Sequence, residues 1–327
     1  RAHSRGHPRQ VVTLDEIPVP KPAPGQALIK VHAVGLNPVG FKMIGMVPNF
    51  ATKRPHVVEY DFCGTVIESN GSPFKLDDVL WGCCFGAIRG SMAQYLVVDH
   101  EFAAVKPDCL SIEEAAGLGM AGITAEQAIY GAASVKPGQS VLVVGGNSGV
   151  GSLMIKMLKQ LECKVYASCS GRNVELVKSL GADVVYDYTV SRLSTQIAAQ
   201  PPSPKFDYII DVIGSSYNTF VHSEKYLAPE GKYINVGSPV VGLLTAIQFL
   251  GGGMWARRPT WLGGTDRQWL FMLAKGDGKT CARVNDIVNK GSVAPLVDKV
   301  YEFTDLLNAY DYIMTGRAKG KVIVRVP

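Results

Sequence analysis

Residues 141–152 read Val-Leu-Val-Val-Gly-Gly-Asn-Ser-Gly-Val-Gly-Ser, and this stretch decides the fold. An apolar run leads into a turn that carries glycines at Gly145, Gly146, Gly149 and Gly151, and a helix-like segment follows. Glycines let the backbone turn tightly and approach a pyrophosphate, while the N-terminus of the next helix presents N–H groups to it. The stretch therefore predicts a nucleotide-binding turn, the alternative being a tight turn without a ligand.

Strands and helices alternate around this turn. The predicted strands are 140–145, 164–168, 183–186, 208–211 and 232–236, and the predicted helices are 111–130, 149–161 and 173–180. Such alternation indicates a parallel sheet with helices on both faces.

The two ends of the chain have a different pattern. Before residue 124, short alternating runs predict strands at 27–34, 63–68, 93–98 and 103–106, as in a distorted barrel. The last part predicts helices at 268–274, 283–289 and 305–314 and strands at 297–303 and 321–326. The fold class is α/β: a β-rich domain plus a doubly wound parallel sheet.

Composition excludes several classes of protein. With 47% hydrophobic and 19% charged residues, the 327-residue chain cannot be mainly disordered and predicts about two domains. Seven cysteines at scattered spacings argue against a disulfide framework and predict an intracellular protein, cytoplasmic or mitochondrial. The net charge of +5 without long basic runs argues against nucleic acid. The uncharged segment 239–256 predicts a pocket-lining or interface helix rather than a membrane span.

The choice of nucleotide depends on the end of the second strand of the parallel sheet. NAD-selective sites place an acid there, whereas residues 168–173 read Ser-Cys-Ser-Gly-Arg-Asn. Ser170 can donate a hydrogen bond and Arg172 can pair with a 2′-phosphate, so NADPH is predicted over NADH; alternatively, Arg172 is a surface cation. The predicted cofactor-binding residues here are Gly146, Asn147, Ser148, Gly149, Val150, Gly151, Ser170, Arg172 and Asn173.

Further motifs extend along nearly the whole chain. They are Glu-Ile-Pro-Val-Pro at 16–20, Gly-Leu-Asn-Pro-Val at 35–39, Asp-Phe-Cys-Gly-Thr-Val at 61–66, Gly-Ser-Met-Ala-Gln-Tyr at 90–95, Thr-Ala at 124–125, Gly-Ala-Asp at 181–183 and Gly-Lys-Val at 320–322. With these motifs and the glycine turn, the chain resembles the medium-chain dehydrogenases/reductases, in their zinc-independent branch of quinone-oxidoreductase-like and trans-acting enoyl-reductase-like proteins. The resemblance implies a GroES-like catalytic domain built from residues 1–123 and 268–327, and a Rossmann domain over 124–267.

No metal site is predicted. Zinc-dependent members of the resembled family carry a Cys and a Gly-His-Glu where this chain has Leu36-Asn37-Pro38 and Glu59-Tyr60-Asp61. His32, His56 and His100 stand alone, and the adjacent Cys83 and Cys84 would point to opposite faces of a strand.

The resemblance implies an enzyme that uses NADPH to reduce the C=C bond of an α,β-unsaturated carbonyl or enoyl thioester. Lys42 matches a lysine placed beside the nicotinamide ribose and the substrate, and Thr124 matches a pocket threonine. Both are candidate catalytic residues, the alternatives being a surface cation and a helix N-cap. Two residues depart from the family pattern: Gly40 stands where an Asp is common, and Glu59 where a small residue is usual.

The remaining cofactor contacts are also implied by the resemblance. They are Lys42, Tyr188, Val236, Gly237 and Arg317. The expected partners are a small-molecule enone, a quinone or a carrier-bound acyl substrate that enters a cleft between the domains, with no nucleic acid and no membrane, in a monomer or homodimer. Two alternatives stay open, an NADPH quinone oxidoreductase and a non-catalytic NADPH-binding protein.

Overall fold

The computed structural model describes residues 1–85, 90–214, 216–238, 240, 243–291 and 293–327. The chain divides into two units by its internal contacts. Unit 1 comprises Arg1–Ile123 and Lys275–Pro327, and unit 2 comprises Thr124–Ala274.

The strands, in chain order, are β1 (Gln26–Leu36), β2 (Asp61–Asn70), β3 (Val79–Cys83), β4 (Tyr95–Asp99), β5 (Ala103–Val105), β6 (Ser140–Val144), β7 (Lys164–Cys169), β8 (Val184–Asp187), β9 (Phe206–Asp211), β10 (Leu227–Asn235), β11 (Gln268–Phe271), β12 (Val297–Glu302) and β13 (Lys321–Arg325). The α-helices are α1 (Pro8–Val11), α2 (Pro38–Met46), α3 (Ile112–Glu126), α4 (Gly149–Gln160), α5 (Val174–Ser179), α6 (Leu193–Ala199), α7 (Tyr217–Val221), α8 (Leu243–Ala256), α9 (Gly278–Lys290) and α10 (Leu306–Met314).

Unit 1 is built on a mixed sheet in which the end of the chain pairs with its beginning. The strand order is β12-β13-β1-β2-β3-β5, and β4 also pairs with β1. β13 runs antiparallel to β1, with Leu36 opposite Val322 and Ala33 opposite Arg325. Buried residues of these strands, including Ile29, Phe62 and Val324, contribute to one apolar core. Lys321 and Asn37, far apart in sequence, are therefore brought to the same end of this sheet.

Unit 2 contains an all-parallel sheet, so the predicted α/β fold class is confirmed. Its strand order is β11-β10-β9-β6-β7-β8. All five residues of β6 are buried, as expected for a central strand covered on both faces. Parallel strands present their carboxyl ends at one edge, and that edge receives the glycine turn after β6 and the turns after β7, β9 and β10.

Several details differ from the sequence predictions. Residues 268–271 form strand β11 rather than a helix, because they pair in parallel with β10, so unit 2 ends at Ala274 and not at residue 267. The helix predicted over 111–130 is interrupted at Gly119, where Met120 donates its N–H to Asp61 Oδ1 instead of continuing the helix regularly. Its α-helical part ends at Glu126, and a wider π-type turn follows over Gln127–Ala133.

The uncharged segment 239–256 contains helix α8. Pro239, Val241 and Gly242, at its start, lie outside the described residues. Leu244, Ile247 and Leu250 are each more than half exposed. Among the helices that the structure describes, none has both the length and the apolar character needed to cross a bilayer.

Candidate functional site

The glycine turn of unit 2 connects β6 to α4 and is held by Ser148. The Ser148 hydroxyl donates to Gly145 O at 2.8 Å and accepts the N–H of Gly151 at 3.0 Å, which makes Ser148 the N-cap of α4. The N–H groups of Gly149 and Val150, in the first turn, have no acceptor within the helix. These groups and the helix dipole favour an anion at this end of α4.

Gly151 is required by a close approach of two backbone segments. A Cβ at this position would overlap the carbonyl oxygen of Gly145, because α4 starts directly against the end of β6. Glycine at this position therefore lets the first turn of α4 lie directly against the glycine turn. Of the loop residues predicted to bind the cofactor, Gly146 and Gly151 are buried, while Asn147, Ser148, Gly149 and Val150 are partly exposed.

The turn after β7 carries the residues predicted to select the nucleotide. Ser170 accepts a hydrogen bond from Asn173 Nδ2 at 3.1 Å, and Arg172 is exposed within a single 3-10 turn over Gly171–Asn173. Tyr188, just past β8 and 54% exposed, donates its N–H to Cys169 O at 3.1 Å. The structure thus brings Ser170, Arg172, Asn173 and Tyr188 to one corner of the sheet.

Asp187 belongs to the same corner and is absent from the residues predicted above. Its carboxylate accepts the hydroxyl and the N–H of Thr189 at 2.6 and 2.9 Å, and it also accepts the N–H of Gly171. The hydrogen bond from the Thr189 hydroxyl is the main reason that the pKa of Asp187 is lowered. An acid at the end of a strand, in Tyr186-Asp-Tyr188, was the signal that could have identified it.

Asp211 organises the next turn along the sheet edge. It is buried at the end of β9, where Oδ1 accepts the N–H of Gly214 at 2.9 Å and Oδ2 accepts the hydroxyl of Tyr233 at 2.8 Å. Its carbonyl accepts the N–H groups of Val236 and Gly237 at 2.8 and 3.1 Å. Val236 and Gly237, two of the predicted cofactor contacts, are therefore fixed to the end of β9.

The polar groups at this edge fit a dinucleotide. Asn173 Oδ1 and Asn235 Oδ1 are buried and accept no hydrogen bond from the described residues. A buried acceptor without a partner is costly, and a ligand or water must satisfy it. Together with the N–H groups of the α4 first turn, these atoms form a polar edge that sugar hydroxyls and phosphates can occupy.

Of the other predicted residues, Lys42 and Arg317 belong to unit 1 and Thr124 begins unit 2. Lys42 is half-buried on α2, and burial lowers the pKa of its ammonium group. Arg317 is exposed after α10. Thr124, the first residue of unit 2, is 6% exposed in the last turn of α3, so its interpretation as a helix N-cap is wrong.

A buried ionic cluster lies beside α2. Lys321 Nζ contacts Asp61 Oδ2 at 3.0 Å and Asn37 Oδ1 at 2.7 Å. Asn37 Nδ2 donates to Asp61 Oδ2 at 2.8 Å, and Met120 N donates to Asp61 Oδ1 at 2.8 Å. Asp61 has no exposed surface and Lys321 is 3% exposed. Each of the two buried charges is therefore compensated by the other, and removal of either would leave a buried charge unpaired.

Glu59 adds a second acid to this cluster. It is 1% exposed, and its carboxylate accepts the hydroxyl of Tyr310 at 2.7 Å and the N–H of Asn37 at 3.3 Å. Burial raises the pKa of Glu59 to about 7, more than these hydrogen bonds lower it.

The chain matches two families. Residues 180–324 match the zinc-binding dehydrogenase family, and residues 23–108 match the alcohol dehydrogenase GroES-like domain. A zinc-type alcohol dehydrogenase-like protein of Schizosaccharomyces pombe is 30% identical over 98% of this chain and 94% of its own length. The trans-enoyl reductase pgmF of Aspergillus terreus is 32% identical over 93% of this chain and 87% of its own.

A solved structure has the same overall fold. The quinone oxidoreductase from Coxiella burnetii superposes with a TM-score of 0.82 and is 25% identical, over 100% of this chain and 98% of that one.

The zinc named in these descriptions does not fit the residues present. The positions where the resemblance implies ligands in zinc-dependent members are 36–38 and 59–61. There Asn37 is hydrogen-bonded to Asp61, and the ammonium group of Lys321 contacts both. Within the described ranges, no three His, Cys, Asp or Glu side chains are grouped to hold a metal.

Proposed function

Because the chain belongs to the medium-chain dehydrogenase/reductase family, in its quinone-oxidoreductase-like and trans-acting enoyl-reductase-like branch, we propose that it is a zinc-independent, NADPH-dependent enoyl or enone reductase. The observation that carries the cofactor assignment is the polar edge of unit 2. There the first turn of α4 and the unpartnered amide oxygens of Asn173 and Asn235 suit a dinucleotide.

The residues of the chain itself are assigned only charge stabilisation and contacts with the acceptor and the cofactor. When bound, NADPH supplies the hydride that adds to the β-carbon of the unsaturated carbonyl. Negative charge then develops on the carbonyl oxygen, and we assign its stabilisation to the Lys42 ammonium group. A proton from solvent or from a side chain completes the reduction at the α-carbon. Thr124 is proposed to contact the acceptor, and Arg317 to contact the cofactor.

The direct test is oxidation of NADPH in the presence of a panel of enones, enoyl thioesters and quinones. Turnover of enones or enoyl thioesters well above background supports the proposal. A preference for quinones would favour the second candidate, a quinone reductase, to which the similarity with the Coxiella burnetii enzyme points. Binding of NADPH without turnover of any member of the panel would contradict both and leave a cofactor-binding protein.

The preference for NADPH is tested at Arg172. Replacing Arg172 with Ala should weaken NADPH binding and leave NADH binding nearly unchanged, because only NADPH carries the 2′-phosphate. A charge-assisted hydrogen bond contributes about 1.5–3 kcal/mol, which corresponds to a loss of about 10- to 150-fold in affinity. Titration of both cofactors by fluorescence measures this, with Lys205→Ala as the control on an exposed cation at the opposite end of the sheet, just before β9. An equal loss for both cofactors would refute the assignment.

Metal independence makes a separate prediction. Prolonged dialysis against a chelator should leave turnover unchanged, since buried Asn37, Asp61 and Lys321 satisfy one another. Elemental analysis of the purified protein checks the same point. Zinc near one ion per chain, together with loss of activity on chelation, would overturn the prediction.

A further inference from the structure

Gly40 and Glu59, the two departures from the pattern that the resemblance implies, lie in contact with each other. A Cβ at Gly40 would overlap Oε1 of Glu59, and the nearest atoms to that Cβ all belong to the Glu59 carboxyl group. Residues 40 and 59 thus share one volume, which a side chain from only one of them can occupy. In this chain the side chain comes from Glu59.

The Glu59 carboxyl lies where a helix needs an acceptor. Asn37 is the N-cap of α2, and Gly40 is the third residue of its first turn. In a capping box, an acidic residue at that third position accepts the backbone N–H of the N-cap residue. Here no acid occurs in the first turn, the Asn37 side chain makes no cap hydrogen bond, and Glu59 Oε2 accepts the Asn37 N–H instead.

Two features of Glu59 are energetically unfavourable, its backbone conformation and the burial of its carboxyl group. Its backbone has φ +63°, a left-handed conformation that is uncommon for residues other than glycine. Its carboxyl is also almost fully buried. A strained backbone and a buried acid persist only where the surroundings over-determine them, and such positions cluster near functional sites.

We propose that Glu59 is a positioning residue for Lys42: from outside the helix it supplies the acidic cap of α2 that Gly40 cannot supply. Lys42 follows Gly40 by two residues on the same short helix, so the first turn of α2 sets the direction of its side chain. Tyr310, on α10, holds the other carboxyl oxygen. The proposal rests on the role given to Lys42 above.

An exchange of side chains tests it. Glu59→Gly removes the cap and relieves the left-handed backbone, so the variant is expected to fold. Gly40→Asp alone forces two carboxyl groups into one volume. The double variant Glu59→Gly/Gly40→Asp returns an acid to the first turn of α2 and should behave like the original protein, whereas each single variant should not. Glu59→Gln keeps the shape of the side chain, and Glu68→Gln removes an exposed acid from β2 as a control.

Two measurements are made on every variant. The first is kcat and KM for the best acceptor of the panel, with NADPH binding measured separately. The second is amide hydrogen exchange of the peptide 38–46, compared with a peptide from β6. Loss of a cap lowers the equilibrium constant for helix formation by about 2- to 30-fold. We expect Glu59→Gly to lower kcat and to accelerate exchange in 38–46 by factors in this range, with a much smaller change in NADPH binding.

In the double variant and in Glu59→Gln, kcat and the exchange rate of 38–46 should lie within about threefold of the values for the original protein. Such a difference is at the low end of a cap contribution. Accelerated exchange with unchanged kcat in Glu59→Gly would overturn the proposal. Glu59 would then cap α2 without affecting the position of Lys42 in catalysis. A double variant no better than Glu59→Gly would also overturn it. If the original protein reduces no acceptor, the proposed function fails, and the exchange data alone decide whether Glu59 caps α2.

Discussion

Replacing Lys42 with Ala is expected to lower kcat for enone reduction by about 10²–10³-fold, the loss that follows removal of a single oxyanion donor. The ammonium group is the charge that we assign to the carbonyl oxygen as it becomes negative, so its removal should act on the transition state more than on binding. Affinity for NADPH should therefore fall much less than turnover. Steady-state kinetics and fluorescence titration separate the two effects.

The matched control is Lys30→Ala, which removes an exposed lysine from β1 in the same unit. Its kinetics should be unchanged. If Lys42→Ala keeps full turnover across a panel of active enones, Lys42 does not stabilise the developing charge. The stabilising group would then have to be sought at Thr124 or in the cofactor itself.

The second large expected effect is a loss of folding stability when Lys321 is replaced. Replacing Lys321 with Met should lower the free energy of unfolding by about 3–5 kcal/mol, because it leaves a buried carboxylate without its counter-charge. Asp61 is fully buried, and Glu59 in the same cluster adds a second acid. Urea unfolding followed by circular dichroism measures the loss.

Two further variants separate charge pairing from packing. Lys319→Met removes an exposed neighbouring lysine and should change the free energy of unfolding by less than about 0.5 kcal/mol. Asp61→Asn added to Lys321→Met removes the unpaired charge and should recover a large part of the loss. A loss below about 1 kcal/mol for Lys321→Met would mean that the pair contributes no more than an exposed ion pair.

The parts of the fold that depend on local sequence could be predicted. The apolar run into Gly145, Gly146, Gly149 and Gly151 defined β6, the turn and α4, because strand pattern, turn chemistry and helix start all lie within 20 residues. The alternation of strands and helices gave the parallel sheet for the same reason. Residues 268–271 show the limit: their composition suggested a helix, but pairing with β10 made them a strand.

The candidate site could be predicted only in part. The glycine turn, the absence of an acid after β7 and the acid at the end of the next strand, Asp187, were visible in the sequence, whereas Asp211 and Asn235 became apparent only once strand ends were brought to one edge. Each of these polar residues ends a strand. Asp187 and Asp211 hold the turns that directly follow them, but Asp187 also accepts from Gly171 and Asp211 from Tyr233, and these more distant partners cannot be read from the local sequence.

By itself, the sequence determined the α/β class, the glycine turn and the family resemblance, because these depend on residues close together along the chain. It also showed Gly40 and Glu59 as two separate departures from a pattern. Only the tertiary structure placed the Glu59 carboxyl in the volume beside Gly40 and joined Lys321 to Asp61 across 260 residues. Burial and hydrogen bonding act between atoms that are close in space, and folding, not chain order, decides which atoms those are.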